Sequence, residues 1–291
     1  MDEKILSVNT KNPPLPPFTK GGVDIQSQKD YRQVAIDKVG VKNIKYPIVV
    51  EDRRFKTQNT VALIDMFVDL PQEHRGTHMS RFLEVLNSYH KENLIDSLEA
   101  LLGDVKRQLN SQKAYIRIRF PYFIEKVAPV SKITSLLDYE CVFEACLTDV
   151  YEFKLGVTVP ITTLCPCSKE ISAYGAHNQR SYVTVTVLYN AFVWIEELVD
   201  IVEKVASSEI YPLLKRPDEK YVTERAFNNP AFVEDIVRDV TLVLRDDERI
   251  VWYRVESENM ESIHNHGAYA CVESDIKHIK HKGFAKDRKV D

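Results

Sequence analysis

The sequence predicts an α+β fold, antiparallel strands with helices on one face, and three observations carry it. Strand-like and helix-like stretches come in clusters instead of alternating one by one. Two stretches alternate at period two: Ala114, Ile116, Ile118 and Phe120 against Tyr115, Arg117 and Arg119, and the run SYVTVTVLY over 181–189. Helical spacing appears in Ile195, Leu198, Val199, Val202 and Val205, and again in Phe232, Val233, Ile236, Val237 and Val240.

Along the chain, residues 1–45 read as a flexible arm. Pro13, Pro14, Pro16 and Pro17 favour extended backbone, and Gly21-Gly22 makes a joint. Globular composition begins near Val41, and Tyr46–Val50 and Thr60–Leu70 have the β-branched, apolar character of strands. Met79, Phe82, Leu83 and Leu86, then Leu94, Leu98, Leu101 and Leu102, fall at helical spacing. Strands follow at 114–120, 137–147 and 151–161. The second half opens on the 181–189 strand and continues with the two helices above, Pro230 standing near the start of the later one, where proline is tolerated. Ile250–Val255 and Ala268–Val272 read as closing strands. Each half therefore repeats strands, two helices, strands, which sets the expected division at 46–160 and 161–277. A basic, loosely ordered tail completes the chain at 278–291.

The 291 residues carry 39 Lys+Arg against 43 Asp+Glu, a net charge of −4, with 44% hydrophobic residues. That is enough apolar material for a core, and near-neutral charge argues against bulk binding of nucleic acid. No run approaches the ~18–20 apolar residues that span a bilayer, and the N-terminus has no apolar signal region, so the expectation is a soluble cytoplasmic protein without a membrane partner. Five cysteines, an odd number in a long chain, point to reduced thiols instead of a disulfide scaffold.

The densest chemistry lies in TTLCPCSKEISAYGAHNQRS, residues 162–181. Pro166 favours an extended backbone at Cys165, so Cys165 and Cys167 can project to the same side, with His177 ten residues on. A CxC pair is too short for a zinc-finger knuckle, but one thiolate with a distant His suits a metal. The plainer alternative is a pair of buried structural cysteines near a surface histidine. His264 and His266 would share a side if extended, as a ligand plus a proton-transfer partner, or simply as two surface histidines in a turn. Glu219, in the mixed-charge stretch KRPDEK, is a carboxylate ligand candidate or part of a solvated loop. Glu234 sits in the first turn of a helix, where acids complement the dipole; otherwise it reads the paired N–H groups of a purine or pterin. His74, Arg75, His78 and Arg81 either reach a ligand or cap the helix starting near Thr77. Neither GxxxxGK[ST] nor GxGxxG is present, so a nucleotide would be held by basic side chains and helix ends.

With DLPQEHRGTHMSRF, LLKRPDEKYVTE, NPAFVEDIVRDV and SIHNHGAYA in consistent order, the 162–181 segment resembles GTP cyclohydrolase type IB, from about residue 45 to 275. The resemblance implies a tunnelling fold of two tandem units per chain and a homotetramer with active sites where subunits meet. It implies conversion of GTP and water to formate and 7,8-dihydroneopterin triphosphate, opening tetrahydrofolate synthesis or feeding queuosine. Its implied metal shell is Cys165, His177, Glu219 and His264, with Cys167 and His266, and Cys165 itself, as catalytic groups. Glu234 is the implied guanine anchor, and Lys169, Arg180, Lys215 and Arg216 are the triphosphate cations. The metal is expected to be zinc, with manganese or iron as alternatives. The resemblance carries a mechanism too: water of lowered pKa attacks guanine C8, a nearby His or Cys moves protons, and the ribose rearranges and recloses. The competing readings are another tunnelling-fold enzyme, such as a nitrile reductase with a cysteine nucleophile, and a non-catalytic metal or pterin binder.

Overall fold

The computed structural model describes residues 26, 28–89 and 93–275; the proline-rich run and the 278–291 tail lie outside them. In chain order the elements are β1 (Ile36–Asp52), β2 (Lys56–Leu70), α1 (Met79–Ser88), α2 (Leu98–Leu109), β3 (Ala114–Val127), β4 (Thr134–Leu147) and β5 (Tyr151–Leu164). After these come α3 (Pro166–Ile171), β6 (Asn178–Tyr189), α4 (Ile195–Val205), β7 (Ser208–Glu209), α5 (Arg216–Asn228), α6 (Val233–Asp246), β8 (Ile250–Met260) and β9 (Ala268–Glu273). β1 starts inside the segment read as an arm.

The nine strands among the described residues form one antiparallel sheet in the order β1-β2-β3-β4-β5-β6-β8-β9, with β7 pairing the end of β5 that β4 leaves free. This overturns the fold of two tandem tunnelling units that the repeat pattern and the resemblance predict. The expected join at 160/161 falls inside β5, which is hydrogen-bonded to β4 on one edge and to β6 on the other. The halves are thus neighbours in one ladder. Local periodicity marks strands but not their partners, because pairing is decided by long-range contacts.

One row shows how the sheet earns its core. Ile64, Ile118, Phe143, Leu155, Val187 and Tyr253 stand opposite one another across six strands, and every one is buried. The neighbouring row on the other face runs Leu63, Arg119, Val142, Gly156, Thr186, Arg254, a mixed and more exposed set. Period-two alternation therefore sorts the whole sheet into a helix-covered face and an open one. The covering stripes are Phe82, Val85 and Leu86 on α1, Leu98, Leu101, Leu102 and Val105 on α2, Leu198, Val199 and Val202 on α4, and Ile236, Val237, Val240 and Leu244 on α6. At about 25 cal/mol per Å² of apolar surface, burying each such side chain contributes roughly 1.5–3 kcal/mol. Gly40 is required where β1 crosses β2, because a Cβ there would lie 2.0 Å from the Met66 carbonyl oxygen.

Candidate active site

The sheet delivers its reactive side chains at one end. β5 finishes at Leu164, and Cys165 becomes the N-cap of α3 with extended backbone, φ −68° and ψ 117°. Its Sγ accepts the Ser168 N–H at 3.4 Å, and Pro166 occupies the first helical position, where its missing N–H costs nothing. Cys165 is extended as the sequence predicts, but the strand-like geometry stops there. Pro166 opens a helix, so Cys167 lies on the first turn of α3, exposed, and not two strand positions along.

His177 is locked against this turn by its own backbone. Its carbonyl accepts the Cys165 N–H at 3.1 Å, and its N–H donates to the Ser168 hydroxyl at 3.2 Å. The half-buried ring points Nδ1 toward Gln179 Oε1 at 3.1 Å and lies 3.4 Å from the Ser262 hydroxyl. Ser262 belongs to the turn between β8 and β9, so that turn arrives beside His177. His264 and His266 sit in it, both exposed, and not in a strand; their rings nevertheless stack with centroids 5.2 Å apart. Glu261 Oε2 lies 3.6 Å from His264 Nδ1. Glu234 is exposed on the first turn of α6, and that helix is brought to the same end by the Ala231 N–H donating to the Leu164 carbonyl at 3.1 Å.

Other expected residues sit apart. Glu219 is exposed on the first turn of α5 with Arg216 3.9 Å away. The far end of that helix reaches α3, where the Lys169 ammonium donates to the Phe227 carbonyl at 2.5 Å and lies over its ring. Eight residues at 1.5 Å per residue separate Glu219 from Phe227 by about 12 Å. Among the described residues of one chain, no three His, Cys, Asp or Glu side chains gather closely enough to hold a metal ion. Lys215 caps α5, Arg216 is almost fully exposed, and Arg180 projects from β6. In the earlier cluster Arg75 donates to Gln28 and Arg81 to the Gln108 carbonyl, while His78 is the N-cap of α1. A depression of about 390 Å³ on the open face is lined by Lys42, Tyr115 and Lys154, and by none of the expected site residues.

Two supporting residues escape a motif reading. Gln179 is buried beneath His177, and its signal is parity: the alternation of 181–189, extended backwards, places 179 on the core side. Asp218, fully buried beside exposed Glu219, accepts the N–H groups of Val130, Ser131 and Lys215 and the Ser131 hydroxyl. Burial alone would raise its carboxyl, but those donors outweigh it and hold the group far below the ordinary 3.8. They also pin the start of α5, and with it Lys215, Arg216 and Glu219, to the β3–β4 turn. Asp218→Ala should therefore lower the thermal unfolding midpoint by at least a few degrees and make the α5 amides exchange faster. Unchanged exchange along α5 would refute the pin.

A cysteine and a histidine clipped to one helix start, with the histidine-bearing β8–β9 turn and the start of α6 reaching the same end of the sheet, are the kinds of group from which an enzyme builds its active site, and they make this end of the α+β chain the candidate. The chain belongs to the type I GTP cyclohydrolase folE2 family, whose pattern matches residues 23–270. It is 56% identical over 252 residues to GTP cyclohydrolase FolE2 of Geobacter sulfurreducens, covering 87% of this chain and 98% of that one. The Magnetococcus marinus FolE2 is 57% identical over 86% of this chain and 95% of its own length, and that of Thermosipho africanus 52% over 88% and 99%. Among solved structures, a highly active mutant of Bacillus sp. TB-90 urate oxidase superposes with a TM-score of 0.50 at 9% identity, over 82% of this chain and 99% of that one. At that identity the likeness speaks for the fold alone.

Proposed function

We propose that this chain is a GTP cyclohydrolase that converts GTP and water to formate and 7,8-dihydroneopterin triphosphate, the opening step of tetrahydrofolate synthesis. The observation that supports it most is the clip of Cys165 to His177, with the β8–β9 turn and the start of α6 alongside, in a chain more than half identical to FolE2 relatives.

The donor set fits a divalent metal. A half-buried cysteine bearing one N–H contact, an imidazole engaged through Nδ1, and a histidine pair are ligands that favour zinc, and a carboxylate widens the choice to manganese or iron. In this reading Cys165, His177 and His264 hold it with Glu219. No three of these four gather within the described residues of one chain, so a neighbouring copy completes the shell, as a site between subunits of a homotetramer would require. When bound, the metal supplies Lewis acidity and lowers the pKa of water toward ~7.

The chain's own groups do the rest. Glu234 accepts the N–H edge of guanine and fixes the ring. Cys167 and His266, both exposed and next to the ligands, take and return protons at the opening imidazole. Lys215, Arg216 and Arg180 meet the triphosphate as mobile cations. Lys169 reaches phosphate only by releasing the Phe227 carbonyl.

The test is turnover. Protein stripped with chelator and given GTP should yield formate and a fluorescent oxidised neopterin only when zinc or manganese is restored. Undiminished product without metal would overturn the metal assignment. No product with any metal, from folded protein, would overturn the reading itself.

A further inference from the structure

We infer that Gln179 is a positioning residue for His177, fixing which ring nitrogen carries the proton and which is left as a donor atom. The inference rests on the metal-site reading above. Gln179 is only 6% exposed and stands on β6 opposite Thr163 of β5. Its Nε2 donates to Thr163 Oγ1 at 2.9 Å, and that fully buried hydroxyl is bonded in turn to Ser181 Oγ at 2.8 Å. With its amino end held on the core side, the amide presents Oε1 to His177 Nδ1 at 3.1 Å. A carbonyl oxygen only accepts, so in this orientation of the amide Nδ1 carries the hydrogen and Nε2 keeps its lone pair.

The second neighbour of Nδ1, the Ser262 hydroxyl at 3.4 Å, can accept as well, so it does not oppose this tautomer. The backbone contacts of His177 to Cys165 and Ser168 fix where the residue sits; Gln179 fixes how its ring is oriented and protonated. A neutral histidine free in water favours hydrogen on Nε2, which leaves that atom no lone pair for a metal. The buried Gln179–Thr163–Ser181 row corrects that preference before any ligand arrives. This is the outer-layer arrangement that metal-binding histidines use, with an amide in place of the more common carboxylate or backbone carbonyl.

The experiment uses full-length protein labelled with ¹⁵N-histidine and stripped of metal, and reads the His177 tautomer from long-range ¹H–¹⁵N correlations. The unaltered protein should show the Nδ1–H form, and finding Nε2–H would overturn the inference. Zinc affinity is then measured by competition with a chromophoric chelator. Gln179→Leu should bind zinc about 10- to 100-fold more weakly. Gln179→Glu, which still accepts from Nδ1–H, should stay within about three-fold of the unaltered protein. Gln179→Leu binding zinc as tightly as the unaltered protein would also overturn it. His177→Ala separates the two layers of argument. If it binds zinc normally, the metal-site reading falls; if it loses zinc while Gln179→Leu does not, only the positioning role falls. The tautomer is read on the unaltered chain, so a variant that fails to fold leaves the test standing.

Discussion

Cys165→Ala is expected to strip metal and turnover from the protein together, with catalysis falling by on the order of 10³-fold, the scale of losing a positioned catalytic group. The thiol has two jobs at one position. It caps α3 through the Ser168 N–H, and in the proposed site it is the soft ligand beside His177. Cys165→Ser tells the jobs apart, because a hydroxyl is as good an N-cap as any residue but a poor partner for zinc. The serine variant should keep its thermal midpoint and still lose metal and activity. Glu234→Ala is the counterpart on α6. It should bind zinc as the parent does while its KM for GTP rises about 10- to 100-fold, the worth of a charge-assisted hydrogen bond pair. Normal GTP affinity in the alanine variant would remove the guanine-anchoring role, and retained zinc in Cys165→Ser would remove the ligand role.

Much of the scaffold was legible because its signals are local. The 181–189 alternation and the Ala114–Phe120 alternation became β6 and β3, and the stripes read around Ile195 and Phe232 became α4 and α6. What could not be read depended on contacts distant in sequence. β1 reaches back to Ile36 because Ile36 and then Val39–Val41 pair with β2 across a break in register, although the side chains from Ile36 to Lys38 are exposed. The single sheet exists because β5 has partners on both edges, and nothing within 151–164 announces the second. At the site, the motifs named the residue types but not their geometry. Pro166 extends the residue before it, Cys165, while its fixed φ also starts the helix that turns Cys167 away. Glu219 belongs to the same motif set as Cys165 yet stands on the first turn of α5, at the opposite end from the contact with α3, a separation that only the packing of that helix reveals.

Lys126→Met should be the most damaging substitution outside the reactive end, costing about 3–5 kcal/mol and roughly 6–10 °C of thermal midpoint. Lys126 leaves β3 with its side chain 10% exposed, and its ammonium lies 2.6 Å from Glu203 of α4 and 2.7 Å from Glu209 of β7. Tyr139 donates to Glu203, while Tyr211 and Arg225 donate to Glu209, so one cation binds two acids and five segments together. Burial pushes the Glu203 carboxyl above the ordinary 4.5 even with Lys126 pulling it back, whereas at Glu209 the surrounding donors prevail over burial and hold the carboxyl low. Methionine fills the space of the lysine stem but leaves both acids without their shared cation, and only Glu209 retains a guanidinium. Glu203 must then either stay charged in an apolar setting or take up a proton. A carboxyl raised in the folded state above 4.5 contributes its stability below that pH and loses it as the pH rises through the folded value. The deficit of Lys126→Met relative to the parent should accordingly be small near pH 4.5 and grow toward pH 8, as read from denaturant unfolding at both ends. Adding Glu203→Gln should recover part of the loss at pH 8, since the amide keeps an acceptor for Tyr139 without a buried charge. A deficit below about 1 kcal/mol, the range of exposed ion pairs, or one that does not change with pH, would show that solvent reaches this cluster and that it is not a buried joint of the fold.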